Sequence, residues 1–332
     1  MKTALITGVT GQDGCYLAKN LLEKGYKVYG GIKHTTGIQN WRLDEMGITD
    51  DIEYLDLDVV DQANIRRMIE KAQPDELYNL AAQSFVALSF EQPEMAALVD
   101  GVGVLRVLET VYQVNPAIKF YQASTSELFG KVQEIPQDEN TRFYPRSPYA
   151  CAKLFGHSIT VNYREAYNIF ACSGILFNHE SPMRGEEFVT RKITKGVVNW
   201  MDNKKPITLG TIEAQRDWGH AEDYVEGMRL MLQQDKPDDY VLATGETHSV
   251  KEFADKVLDY LQIEHDWLGT DCVDNNGDLI ITTDKKYKRP TEVDLLIGNP
   301  AKAEEVLGWK RTYDLDGLIR DMIQADLRRY KK

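Results

Sequence analysis

No stretch of the 332 residues approaches the roughly 18 consecutive apolar residues of a membrane-spanning helix. The apolar run in Met1–Thr7 is too short for a signal peptide, so a soluble cytoplasmic protein with no membrane partner is expected. Cysteine is scarce: Cys15, Cys151, Cys172 and Cys272 lie far apart with no C-x-x-C, which indicates neither a zinc site nor a disulfide framework. Positive charge is in deficit, with 39 Lys and Arg against 52 Asp and Glu, a net charge of −13. A phosphate-backbone binder normally carries a basic stripe, so nucleic acid is not an expected partner. Repeats, low-complexity tracts and Ser/Gly linkers are missing, and any domain boundary must be placed by a change of pattern.

What is present is 42% hydrophobic residues, enough for one large or two medium cores. The first half alternates short β-rich runs with amphipathic stretches, the pattern of βαβ units on a parallel sheet. Strands are expected at 3–7, 27–31, 52–57, 76–80, 118–123 and 170–176, and helices at 63–72, 95–114 and 149–167. The alternation gives way near Asn178 to a polar, turn-rich segment, Asn178–Glu186. The expected class is α/β: a Rossmann-type doubly wound parallel sheet over 1–177, with 215–247 returning to it. A smaller mixed α/β substrate domain takes most of 178–332. Within it Cys272–Ile280 reads as a hairpin, because Asn276-Gly277 suits a tight turn. Read instead as a calcium loop, it would put Cys272 and Thr283 at the first and last ligand positions, which argues against a metal.

Gly8-x-x-Gly11-x-x-Gly14 follows the apolar run Ala4-Leu5-Ile6 and precedes a helical period from Tyr16 to Leu22. Glycine at a strand-to-helix turn lets the backbone approach a pyrophosphate, while the helix N-terminus supplies N–H donors. A dinucleotide is therefore expected on Gly8 to Gly14, with Thr10, Gln12 and Asp13 in the same turn. The second strand ends in Gly31-Ile32-Lys33-His34-Thr35-Thr36, without the acid that would receive a ribose hydroxyl. Lys33 and His34 favour NADP over NAD.

Ser147-Pro148 makes a good helix start, placing Tyr149 and Lys153 on one face at i, i+4. An ammonium near a phenol is expected to lower the phenol's pKa, so that Tyr149 can serve as a base toward a sugar hydroxyl, with Thr125 bonded to the same hydroxyl. Glu127 adds a carboxylate. A ketone at C4 of a hexose acidifies the C5 hydrogen, which a nearby carboxylate removes; the C6 hydroxyl leaves as water, and hydride return to C6 completes a redox-neutral conversion. A plain helix cap is the competing role for Glu127.

Gly8–Gly14, Tyr121–Gly130 and Tyr144–Lys153 together resemble an extended short-chain dehydrogenase/reductase. Over nearly the whole chain the sequence resembles the GDP-mannose 4,6-dehydratase family. The matching stretches are Gly8–Gly14, Tyr121–Gly130, Phe143–Lys153, Asn178–Lys192, Arg216–Tyr224, Ala243–Phe253 and Arg289–Asp294. The resemblance implies a GDP-sugar substrate. It assigns Asp58 and Val59 to the adenine, Leu80, Ala81, Ala82 and Ser84 to the central cofactor region, and His179 and Arg184 to further cofactor contacts. Ser84, Ser126, Asn178, Lys192, Arg216, Arg289 and Glu292 are assigned to the nucleotide sugar beside Thr125 and Glu127.

Ser126 stands where dTDP-glucose dehydratases carry Asp, so Glu127 is expected to act as both C5 base and C6 acid. Relatives place arginines at the His34, Thr35 and Met183 positions. Many assemble as tetramers in which the loop carrying Arg184 reaches a neighbour's cofactor; a homodimer or homotetramer is expected here. GDP-mannoheptose is the alternative substrate. A C4 epimerase, oxidase or ketoreductase would share the fold without needing Glu127, and a non-catalytic nucleotide-binding scaffold would not preserve Thr125, Glu127, Tyr149 and Lys153 together.

Overall fold

A computed structural model describes residues 1–33, 40–287, 290–291, 293 and 295–331. The first six strands are β1 (Thr3–Thr7), β2 (Lys27–Ile32), β3 (Ile52–Asp56), β4 (Glu76–Asn79), β5 (Lys119–Thr125) and β6 (Ala171–Leu176). With the later strand Asp239–Leu242 they form a seven-stranded sheet among the described residues, in the order Asp239–Leu242, β6, β5, β4, β1, β2, β3. Every pairing is parallel.

Alternation along β1 shows why both faces must be covered. Ala4 and Ile6 enter one core, packed against helix α1 (Gln12–Glu23) and the helix Ala221–Leu232. Leu5 enters the other, with Ile65, Val107, Leu108 and Phe120 under the helices Gln62–Ala72 and Gly103–Val114. The chain runs outward from β1 through β2 and β3 on one side and from β4 through β5 and β6 on the other. The strand order therefore reverses between β1 and β4, and a crevice opens there at the strands' carboxyl ends.

The strands lie where the sequence pattern places them, with shifted ends. β5 runs on to Thr125 because Ser124 and Thr125 find parallel partners in Ile175 and Leu176 of β6. The helix expected over 95–114 is not uniform: Pro93–Ala96 passes into a π-helical turn, Ala97–Val102, before Gly103–Val114 resumes α geometry.

A second sheet of four strands runs His265–Leu268, Asp271–Asp274, Leu279–Thr283 and Ile207–Leu209. It shares a core with the helices Val189–Asn203, Val250–Tyr260 and Leu315–Tyr330, through Ile193, Phe253, Ile281 and Met322. The hairpin expected near Gly277 is present. Gly277 has φ +83°, its N–H donates to Asp274 O at 2.9 Å, and the Asp278 N–H donates to Asp274 Oδ1 at 2.9 Å.

Candidate active site

The crevice between β1 and β4 is a cleft of about 1110 Å³, just above the roughly 300–1,000 Å³ range typical of small-molecule sites and roomy enough for a long ligand. Its floor is the turn after β1. Gly8 holds φ +70°, its N–H bonding Gly31 O at 3.0 Å. A Cβ on Gly14 would lie 2.4 Å from Gly8 O and 2.6 Å from Val9 Cα, so only glycine lets α1 start this close to the strand. Thr7 ties down the opposite wall: its hydroxyl donates to Asn79 Oδ1 at 2.8 Å and accepts from the N–H groups of Leu80 and Ala81, both at 3.0 Å.

The helix Pro148–Tyr167 starts as its sequence dictates. Ser147 is the N-cap, its side chain accepting from Ala150 N, and Pro148 opens the first turn. This brings Tyr149 and Lys153, both buried, to the cleft. The Lys153 ammonium donates to Ala123 O at 3.1 Å and lies 5.7 Å from the centre of the Tyr149 ring. Glu127 is not the cap of a long helix. It belongs to the single 3-10 turn Ser126–Leu128, whose cap is Thr125, accepting from the Glu127 N–H. Thr125, Ser126 and Glu127 all line the cleft.

The lowered Tyr149 pKa expected from sequence is corrected here. Burial lifts it well above the ordinary phenol value, and the charges of Asp100 and Glu127 push the same way, against the Thr125 hydroxyl and Arg184. The same burial drives the Lys153 pKa down, opposed by Asp100 and Asp13. Desolvation is the largest cause at both residues.

At the far end of the turn Asp13 and His179 form a pair, Oδ2 to Nε2 at 2.9 Å, while Nδ1 of the imidazole donates to Phe177 O at 2.7 Å. The ring stacks on Tyr224 with centroids 4.6 Å apart. Burial lifts the Asp13 carboxyl, but the charge and hydrogen bond of His179 overcome it and hold it at about 2. Burial lowers His179, and Asp13 reverses that, leaving it raised. Gln12 extends the link, donating to His179 O at 3.0 Å and accepting from the Ser181 hydroxyl at 2.8 Å.

The family profile described as GDP-mannose 4,6 dehydratase matches residues 5–322. The chain belongs to this family. It is 49% identical to the GDP-mannose 4,6 dehydratases of Homo sapiens and of Cricetulus griseus, in each case over 98% of this chain and 91% of the relative. To the enzyme of Vibrio cholerae it is 48% identical, over 98% and 94%. Among solved structures, the fold is similar to a Thermus thermophilus UDP-glucose 4-epimerase complexed with NAD (TM-score 0.82, 22% identity, 98% of each chain covered). It is equally similar to a Bacillus anthracis dTDP-glucose 4,6-dehydratase in complex with NAD (TM-score 0.82, 18% identity, 100% of this chain and 98% of that one).

Lys33, Asp58, Val59, Leu80, Ala81, Ala82, Ser84, Asn178, His179 and Arg184 line the cleft together with Thr10 and the glycine turn. Lys33 Nζ lies 3.2 Å from Asp58 Oδ2, the second and third strands thus meeting at this end. Arg184 pairs with Glu180 at 3.0 Å, and its guanidinium lies 3.5 Å over the Phe188 ring. It thereby joins the lining of this chain's cleft.

Lys192 and Arg216 lie outside the cleft lining. Lys192 Nζ sits 4.2 Å over the Tyr287 ring, and Arg216 is buried in the short strand Gln215–Arg216, donating to Gln215 O. His34, Arg289 and Glu292 lie outside the described residues. Sequence reasoning missed Arg42, which donates to Thr10 O at 3.1 Å and Met183 O at 2.7 Å and so joins the glycine turn to the Ser181–Arg184 loop. No periodicity marks a contact across that separation. It also missed Phe188 and Val86 in the cleft wall and the buried acid Asp100.

Proposed function

We infer that the protein is a hydro-lyase that removes water across C5 and C6 of a GDP-sugar, converting GDP-mannose to GDP-4-keto-6-deoxy-mannose. Family membership supports the reaction class. Within the cleft one observation carries it: the Glu127 carboxylate lies beside Thr125 and near enough to Tyr149 for its charge to disfavour the phenolate. A site that only oxidised or epimerised a hydroxyl would use Thr125, Tyr149 and Lys153 and have no need of that carboxylate.

The glycine turn, the open N-terminus of α1 and the buried Ser124 hydroxyl, which has no hydrogen-bond partner among the described residues, fit a nicotinamide dinucleotide. When bound, it supplies the oxidant for C4 and the reductant for C6, so no external reductant is consumed. Gly8, Thr10, Gly11, Gln12, Asp13 and Gly14 would hold its pyrophosphate, with Asp58, Val59 and Leu80–Ala82 along the adenine and central parts. The absence of an acid at Ile32-Lys33 and the place of Lys33 on the cleft favour NADP. Lys33→Ala is expected to weaken NADP binding about tenfold and leave NAD unchanged in fluorescence titrations, the loss of one phosphate-facing charge costing about 1.4 kcal/mol.

In the reaction Tyr149 Oη, in its phenolate form, accepts the proton of the C4 hydroxyl while the Thr125 hydroxyl hydrogen-bonds the same oxygen. With a ketone at C4, the Glu127 carboxylate takes the C5 proton and passes it to the C6 hydroxyl, which departs as water. Asn178, Lys192 and Arg216 are the described candidates to receive the nucleotide diphosphate end. Glu127→Gln keeps the shape of the side chain and removes the base. Turnover is expected to fall by at least about 10²-fold with melting temperature and bound dinucleotide preserved; unchanged turnover would move the protein among epimerases, oxidases or ketoreductases.

We also propose a homodimer or homotetramer. Met95, Tyr112, Phe155 and Tyr167 are exposed on adjoining helices, apolar surface that a second copy would cover. A monomer in sedimentation velocity at micromolar protein would remove that part of the reading.

A further inference from the structure

The π-helical turn Ala97–Val102 inserts an extra residue into the helical ladder, a departure that re-aims the side chains it carries. Asp100 sits on this turn with no exposed surface. Its Oδ1 accepts from the Gln83 N–H at 2.9 Å, on the cleft wall after β4. Its Oδ2 is buried and has no hydrogen-bond partner among the described residues.

The turn lies directly on the first half of the helix Pro148–Tyr167. A Cβ at Gly101 would come 3.3 Å from Ala152 O, and one at Gly156 would come 3.0 Å from Asp100 O. Between Ala152 and Gly156 stands Lys153, a buried ammonium bonded to Ala123 O. A buried charge is strongly disfavoured unless it is paired, and here a carboxylate with a spare oxygen and a buried ammonium occupy facing helices.

We propose that Asp100 is a positioning residue of the dehydration site, its carboxylate serving as the counter-charge that keeps Lys153 an ammonium beside Tyr149. This rests on the assignment of Tyr149 and Lys153 made above. Lys153 faces Asp100 and Asp13; Tyr149 faces Asp100, Glu127, Arg184 and the Thr125 hydroxyl. Burial depresses Lys153 while Asp100 supports it, and burial lifts Tyr149 while Asp100 lifts it further. Asp100 itself is lifted to about 6 by burial, with Lys153 and the Gln83 N–H pulling it back. Removing its charge therefore lowers both Tyr149 and Lys153, and both limbs of a bell-shaped profile shift the same way.

Asp100→Asn keeps the acceptor for Gln83 and removes the charge. Its pH profile of kcat is expected to move bodily to lower pH by about half to one unit, so that kcat on the alkaline limb falls roughly 3- to 10-fold against wild type. Asp100→Glu should restore the wild-type limbs. A superimposable Asp100→Asn profile in an active enzyme, with any loss confined to melting temperature, would overturn the proposal.

A second arm needs neither activity nor a folded Asp100→Asn protein. An acid lifted above its unfolded value loses its proton first in the unfolded chain, so stability declines as pH rises toward the native value. Without Lys153 that value rises further. The melting-temperature gap between wild type and Lys153→Met is thus expected to widen from about pH 5 to about pH 7, and a constant gap would contradict the pairing. Wild-type protein that dehydrates no GDP-sugar would count against the proposed function, and this second arm would still decide the role of Asp100.

Discussion

Asp13 and His179 show how one pair of side chains ties the dinucleotide turn to the segment after β6. The pair also has a pH signature. The depressed Asp13 contributes stability that is complete above the unfolded carboxylate range near about 4 and is lost as pH falls through about 2. The raised His179 contributes stability that is complete below about 6.5 and is lost as pH rises through its native value. The destabilisation caused by His179→Gln is therefore expected to be greatest between about pH 4 and about pH 6.5 and to shrink on either side, as read by urea unfolding across that range. Asp217 has a different task. It is buried, and its carboxylate accepts from Thr244 N at 2.8 Å, Thr244 Oγ1 at 2.7 Å, Gly245 N at 2.9 Å and Gly298 N at 3.3 Å. Asp217→Ala strands those donors and is expected to cost about 2–4 kcal/mol in denaturant unfolding.

Among elements, the first turn of α1 and the start of the helix Pro148–Tyr167 were legible because their signals are local. Gly8, Gly11 and Gly14 encode a close turn, Ser147-Pro148 a helix start, and i, i+4 spacing a shared face for Tyr149 and Lys153. Gly14→Ala would drive a methyl group into Gly8 O and is expected to lower both melting temperature and dinucleotide affinity. Ser147→Ala, which removes only a cap, is expected to cost about 1 kcal/mol in thermal unfolding. The π-helical turn was not legible, since residues 95–114 carry an ordinary helical period and the extra residue is fixed by packing against Ala152 and Gly156. Nor was the burial of Tyr149, because sequence spacing shows the nearby lysine and not the water excluded around it.

At the scale of the whole molecule, the large sheet is completed by Asp239–Leu242, which pairs with β6 only after the chain has built part of the second sheet. That second sheet joins Ile207–Leu209 to Leu279–Thr283, a pairing that strand propensity alone cannot choose. A fragment of residues 1–177 would leave β6 as an open edge and strip the helix Ala221–Leu232 from one core. It is expected to lack the cooperative unfolding transition of the full chain in calorimetry. What the assembled cleft does to a GDP-sugar is tested most directly by incubating the 332-residue protein with GDP-mannose and, separately, GDP-mannoheptose, with no added reductant, and weighing the product by mass spectrometry. Loss of one water from GDP-mannose is predicted; unchanged mass for both sugars, in folded protein carrying a dinucleotide, would contradict it.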